Sequence, residues 1–147
     1  MKKVIIYASY HHKNTKNIVD EISRKEDYEV IDLLKEKDID LSCYDIIGFA
    51  SGIYFGKMHK RIIGFIEKAE FKNNQRVFLM YTCGFRFYNY VKGLKKTLRE
   101  KGIKDIPVFY SRGYDSYAIW GKLGGIAKNH PNEEDIKRAL KFVKEIK

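Results

Sequence analysis

Three short stretches hold the side chains whose types and spacing could do chemistry. The first, Ser9-Tyr10-His11-His12-Lys13-Asn14-Thr15, is almost entirely hydrogen-bond donors: the Ser9 and Thr15 hydroxyls, the Asn14 amide, the His11 and His12 imidazoles and the Lys13 ammonium. An apolar run, Val4 to Ala8, ends just before it, and a helical pattern carrying Ile18, Val19 and Ile22 on one face follows it. A polar loop from a strand into a helix amino terminus gathers unpaired N–H groups at the positive end of the helix dipole. That is a setting for an anion, above all a phosphate. The plainer reading is an ordinary βα turn with Asn14 as N-cap. Neither a glycine-rich P-loop nor a GxGxxG dinucleotide pattern is present. The second stretch, Ser51-Gly52-Ile53-Tyr54-Phe55-Gly56-Lys57, has two glycines that let backbone approach a ligand and aromatic rings suited to cover a flat one. The third, Thr82-Cys83-Gly84-Phe85, offers another close backbone and another aromatic.

These stretches need a frame that brings them together. The runs Val4 to Ala8, Asp45 to Ser51 and Val77 to Thr82 are unbroken enough to be strands buried on both faces. Tyr28 to Asp32 reads as a shorter strand, and Ile106 to Tyr110 as a fifth, with Pro107 favouring an edge. Helical spacing recurs at Met58, Ile62, Phe65, Ile66 and Ala69, and again at Val91, Leu94 and Leu98, where Gly102 is placed to end the helix. Asn132 with Asp135 predicts a capping box for a last helix lined by Ile136, Ala139, Leu140 and Val143. Leu33 to Leu41 has too few apolar positions for a helix. Strands alternating with helices imply right-handed βαβ units. The expected architecture is α/β, a three-layer doubly wound sandwich around a five-stranded parallel sheet, residues 1–147 forming one domain. The segment from Ser111 to Pro131 breaks the pattern: it is long, irregular and carries Tyr114, Tyr117, Trp120 and Gly124-Gly125. Connections of that length are usually functional.

In such sheets ligands bind beyond the carboxyl ends of the strands, where strand order reverses. The three stretches follow strands one, three and four. A phosphate at one end and a planar ring at the other describe a mononucleotide, and FMN suits them best. The net charge of +10 raises the question of nucleic acid, but the 29 basic residues are spread over every segment, which argues against that partner and for a general lysine-rich surface, facing acidic protein partners or simply soluble. No run nears the ~20 apolar residues of a membrane span. The absence of a signal-peptide core, and two cysteines, Cys43 and Cys83, point to reduced thiols in a cytoplasm.

The same stretches carry a family resemblance. Ser9 followed by Asn14-Thr15, the segment FASGIYFGKMHKRIIGFIEKA, the short YTCGF and the ending GGIAKNHPNEEDIKRALKFV together resemble the flavodoxin family over essentially the whole chain. The resemblance implies strand order 2-1-3-4-5, non-covalent FMN and one-electron transfer through the exposed flavin edge to a redox partner protein. Three features depart from the family. The first loop is one residue longer, with His12-Lys13 where a glycine is common, and Lys57 follows Gly56 where an acidic residue often stands. The chain is also basic, whereas flavodoxins that shuttle electrons are usually acidic.

His11 and His12 lack a third metal ligand at suitable spacing, which favours phosphate donors or exposed side chains. His59 reads as a solvated residue on the first turn of a helix, His130 as a local structural residue, and Cys83 as a small residue filling a tight loop. Ser9 and Ser51 stand where a response regulator needs carboxylates, and no serine–histidine–carboxylate set suggests a hydrolase. An FMN-dependent quinone or porphyrinogen oxidoreductase, with the 111–131 segment shaping a pocket, and a flavin-free basic binding module stay open as alternatives.

Overall fold

Successive residues of a strand point to opposite faces of its sheet, so a strand apolar at every position must be covered on both sides. The computed structural model describes residues 1–9, 14–84, 89–112 and 131–147. His11, His12, Lys13, Phe85, Tyr114, Tyr117, Trp120, Gly124, Gly125 and His130 lie outside them. Among the described residues the chain runs β1 (Lys3–Ala8), α1 (Asn14–Glu26), β2 (Glu29–Asp32), β3 (Ile46–Tyr54), β4 (Lys57–Met58), α2 (Lys60–Lys68), β5 (Arg76–Cys83), α3 (Lys92–Glu100), β6 (Val108–Arg112) and α4 (Glu133–Lys144). The parallel strands lie in the order β2-β1-β3-β5-β6, with the two-residue β4 paired antiparallel to β3. Without that small hairpin strand this is the expected order 2-1-3-4-5. Leu33 to Leu41 holds one turn and no helix, as expected.

Alternation divides the core cleanly. Val4, Ile6 and Ala8 of β1, Ile47 and Phe49 of β3, and Val77, Leu79 and Tyr81 of β5 face Ile62 and Ile66 of α2 and Leu94 and Leu98 of α3. The intervening residues, Ile5, Tyr7, Ile46, Ala50, Phe78 and Met80, face Ile18, Val19 and Ile22 of α1 and Ala139 and Val143 of α4. The chain therefore leaves β1 on one face and β3 on the other, and the β1/β3 boundary is the switch point.

Helix ends follow local chemistry. Asn132 Oδ1 accepts from the Asp135 N–H at 3.0 Å, and Asp135 Oδ2 accepts from the Asn132 N–H at 2.8 Å, completing the capping box. Gly102, at φ 96°, ends α3: its N–H donates to Arg99 O and the Ile103 N–H donates to Leu98 O, both at 3.0 Å. This double closure needs the left-handed backbone that glycine adopts at no steric cost.

Candidate functional site

Register sets which residues meet at the carboxyl end of the sheet. Ala8 lies opposite Ser51, Ser51 opposite Tyr81, and Tyr81 opposite Tyr110. One row further out, Gly52 lies beside Thr82 and Thr82 beside Ser111; then Cys83 pairs with Arg112. The second and third stretches are thus neighbours in space, and α1 starts beside them. Thr15, in its first turn, is 1% exposed, and its Oγ1 lies 2.9 Å from Oγ1 of Thr82, itself 4% exposed. One hydroxyl donates to the other, so a single proton of the pair remains for another acceptor. Asn14 is the first helical residue, half-buried, and so stands inside α1 rather than at the expected N-cap position. The first turn of α1 carries no acidic side chain, whereas that of α4 carries Glu133, Glu134 and Asp135. The positive end of α1 is left unneutralised for an anion; that of α4 is closed by its own carboxylates.

The second stretch is more ordered than a loop. β3 continues through Gly52, Ile53 and Tyr54, turns at Phe55-Gly56 and returns as β4, with Ile53 opposite Met58 and Tyr54 opposite Lys57. The strand thus runs past Ser51, where it was expected to end, and Met58 lies in β4 and not in the expected helix. Both turn residues have positive φ, 53° at Phe55 and 79° at Gly56, the signature of a tight mirror-image turn. Glycine adopts this freely, whereas an aromatic residue is strained there by about 1–2 kcal/mol. Phe55 is nevertheless 88% exposed. Strain at an exposed aromatic, beside a switch point, is the pattern of a site residue rather than of packing. Lys57 is exposed next to it. The space opened by Gly52 is taken from within: a Cβ there would meet the Tyr54 hydroxyl at 3.2 Å.

The hairpin is anchored by Ser51 and His59. The buried Ser51 hydroxyl donates to Gly52 O at 2.7 Å and accepts from the His59 N–H at 3.0 Å. His59 Nδ1 accepts from the Arg61 N–H at 2.9 Å, making His59 the N-cap of α2. Its ring meets Tyr54 edge-on, centroids 5.4 Å apart. His59 is 4% exposed, which corrects the expectation of a solvated side chain. Burial, with Arg61 and Lys60 nearby, pushes its pKa below the ordinary 6.5. The neutral ring, protonated at Nε2, is the folded form. Its contribution to stability is present above about pH 6.5 and is lost as pH falls towards the depressed pKa. His59→Ala is expected to destabilise the protein by about 1 kcal/mol at neutral pH through loss of the cap. His59→Asn, which caps without titrating, is expected to flatten the fall in melting temperature between about pH 6.5 and 5. Parallel melting curves for wild type and the asparagine variant across that range would show that His59 does not set it.

The third stretch is braced from β6. An Arg112 guanidinium nitrogen donates to Gly84 O at 3.0 Å, and Tyr81 stacks on Tyr110 with centroids 6.0 Å apart. Cys83 is buried at the end of β5. The sequence pointed to neither His59 nor Arg112 in these roles. A polar acceptor at the boundary before a helical pattern is an N-cap signal, so His59 carried a trace of one. Arg112 carried none. Of the predicted residues, Ser9, Asn14, Thr15, Ser51 to Lys57, and Thr82 to Gly84 line the carboxyl ends of β1, β3 and β5. His11, His12, Lys13 and Phe85 fall outside the described residues.

Residues 4–123 match the model of the flavodoxin domain family. The chain belongs to the flavodoxin family. This flavodoxin-family protein is 42% identical to an uncharacterized protein of Methanocaldococcus jannaschii, over 99% of its own length and 98% of the relative's. Among solved structures it is similar to a flavodoxin from the domain Archaea, with a TM-score of 0.68 and 15% identity over 95% of this chain and 92% of that one. It is similar too to the Fusobacterium nucleatum flavodoxin bound to flavin mononucleotide, with a TM-score of 0.65 and 19% identity over the full length of both. At these identities the structural likeness bears on the fold. No helix among the described residues is long and apolar enough to cross a membrane, and no cluster of three or more potential metal ligands occurs among them.

Proposed function

We propose that this flavodoxin-family protein binds FMN non-covalently at the carboxyl end of its sheet and acts as a cytoplasmic one-electron carrier for an acidic protein partner, all 147 residues forming one domain. The observation that carries the reading is the hairpin after β3, which holds Phe55 88% exposed at a φ of 53° beside the β1/β3 switch point. The residues present fit the cofactor. Ser9, Asn14 and Thr15 offer donors at the acid-free start of α1, where a phosphate would sit, and His11, His12 and Lys13 lie between them in the sequence. Ser51 to Lys57 supply a hairpin edge with Tyr54 and Phe55 for the ring, and Thr82 to Gly84 stand beside it at the end of β5. Thr15 and Ser51 serve partly from within, by tying α1 to β5 and the hairpin to α2.

When bound, FMN supplies two successive one-electron steps, the second leaving negative charge on the ring at neutral pH. What this chain contributes is binding, orientation and the sign of the surrounding charge. The exposed Lys57 attracts a negative ring. Lys57→Glu is therefore expected to move the second potential to more negative values by tens of millivolts, less at high salt. A spectroelectrochemical titration in which the second potential stays put would remove Lys57 from the flavin's surroundings.

The purified protein tests the reading as a whole. A yellow protein, or a colourless one that takes up FMN and cycles by single electrons without a substrate, supports the carrier. Steady-state turnover with a reductant and a small quinone would make it an FMN-dependent oxidoreductase instead. A protein that takes up no FMN would be a basic binding module.

A further inference from the structure

The positive charge of this protein is not distributed evenly in its pairing. On α1 and α4 cations meet carboxylates on the same helix: Lys16 with Asp20, Arg24 with Glu21, Lys137 with Glu134 and Arg138 with Asp135. Helix α3 differs. Leu94 and Leu98 are buried, and the side away from them carries Lys92, Lys95, Lys96 and Arg99, three exposed and Lys95 half-buried. The spacing i, i+3, i+4, i+7 puts all four on one stripe, where like charges repel. None of the four is in an ion pair among the described residues. Lys101, just beyond, is used structurally: its Nζ donates to Ala69 O at 2.8 Å. The first members of the stripe, Lys92 and Lys95, also oppose the helix dipole. The first turn has no acidic residue, and the N-cap residue, Val91, makes no side-chain cap bond. Among the described residues these terms at the start of α3 are all unfavourable to the isolated protein. A partner that supplies negative charge would relieve all of them together.

The stripe begins near the candidate site. Tyr90, two residues before α3, packs edge-on against Tyr81 of β5, centroids 5.7 Å apart, and Tyr81 lies opposite Ser51 in the sheet. We propose that Lys92, Lys95, Lys96 and Arg99 form the docking surface for a carboxylate cluster on an acidic partner protein. This rests on the carrier reading for its purpose but not for its test. Two other anionic surfaces fit less well. The four cations span only about 10 Å of helix axis, and Glu100 and Asp105 follow them, too short a track for the six to ten phosphate contacts of tight nucleic-acid binding. A membrane surface needs an apolar face beside the charge, yet the exposed large hydrophobic residues among those described are Met1 and Phe55, neither on α3.

The test uses the full chain with poly-L-glutamate as the probe. Amide shifts on titration are expected at residues 92–99. The variant Lys92→Glu/Lys95→Glu/Lys96→Glu is expected to lose roughly tenfold or more in affinity at low salt and to melt higher than wild type, because it removes repulsion and places acids in the first turn. A control of equal charge change, Lys35→Glu/Lys37→Glu/Lys147→Glu, is expected to retain most of the affinity. Shifts elsewhere, an equal loss in the control, or no rise in melting temperature would overturn the proposal. So would tighter binding of oligodeoxythymidylate or of phosphatidylglycerol vesicles than of polyglutamate. FMN uptake measured by fluorescence on the same samples tests the carrier reading separately, and its failure leaves the polyglutamate result to stand or fall by itself.

Discussion

Replacing Asn14 and Thr15 by alanine is expected to weaken FMN binding by on the order of 100-fold and riboflavin binding by a much smaller factor. The two ligands differ by the phosphate alone. Both residues stand in the first turn of α1, whose backbone N–H groups have no partners within the helix and whose first turn is free of carboxylates. Hydrogen bonds to a charged group are worth about 1.5–3 kcal/mol each, so losing two gives the expected factor. Thr15 also holds Thr82 through a buried hydroxyl pair, so its removal acts on the third stretch as well as on the first. Two further variants separate these roles. Thr15→Ser keeps the hydroxyl and should keep most of the FMN affinity. Thr82→Val keeps the shape of the strand end but leaves Thr15 without its partner. It should lower FMN affinity by a smaller factor, through orientation of α1. Fluorescence titrations with both ligands decide the matter. Equal losses for FMN and riboflavin in the double variant would mean that the start of α1 does not hold the phosphate.

The largest effect on stability is expected at Gly48, in the middle of β3. A Cβ at this position would stand 2.3, 2.6 and 2.9 Å from three atoms of the Phe78 ring, closer than non-bonded carbons approach. Phe78 is the register partner of Gly48 on β5, and its ring lies across the glycine. It cannot move away freely, because Tyr28 and Phe142 meet it edge-on at 6.1 and 5.6 Å. Gly48→Ala is therefore expected to destabilise the protein by about 3 kcal/mol, the upper end for overpacking a core. For a chain of this size that lowers the melting temperature by about 10 °C. Shrinking the ring relieves the clash. Gly48→Ala combined with Phe78→Leu should be more stable than the sum of the two single changes implies. Additive losses in urea unfolding would mean that the ring does not rest on Gly48.

Much of this architecture is written in local patterns. The apolar runs Val4 to Ala8 and Val77 to Thr82 read as doubly buried strands, and every residue of both is buried. Asn132 with Asp135, and Gly102 after Leu98, act within a few residues, so the sequence determines them directly. Given βαβ alternation, the placing of Ser9 to Thr15, Ser51 to Lys57 and Thr82 to Phe85 on strands one, three and four was legible too. What was not legible depends on neighbours distant in the chain. Gly52 and Gly56 read as loop breakers, yet pairing of Ile53 with Met58 and packing of Tyr54 on His59 extend β3 past the first and confine the second to a two-residue turn. A histidine before a lysine-rich helix looks solvated until Ser51 and Tyr54 cover it. Gly48 resembles any small residue in a strand until the ring of Phe78, thirty residues on, occupies its missing side chain. Composition counts 29 basic and 19 acidic residues but says nothing of which of them meet. Periodicity and capping are short-range and are set by the order of residues alone. Burial, hairpin extension and charge pairing are long-range, and the tertiary structure decides them because only folding brings their partners within contact.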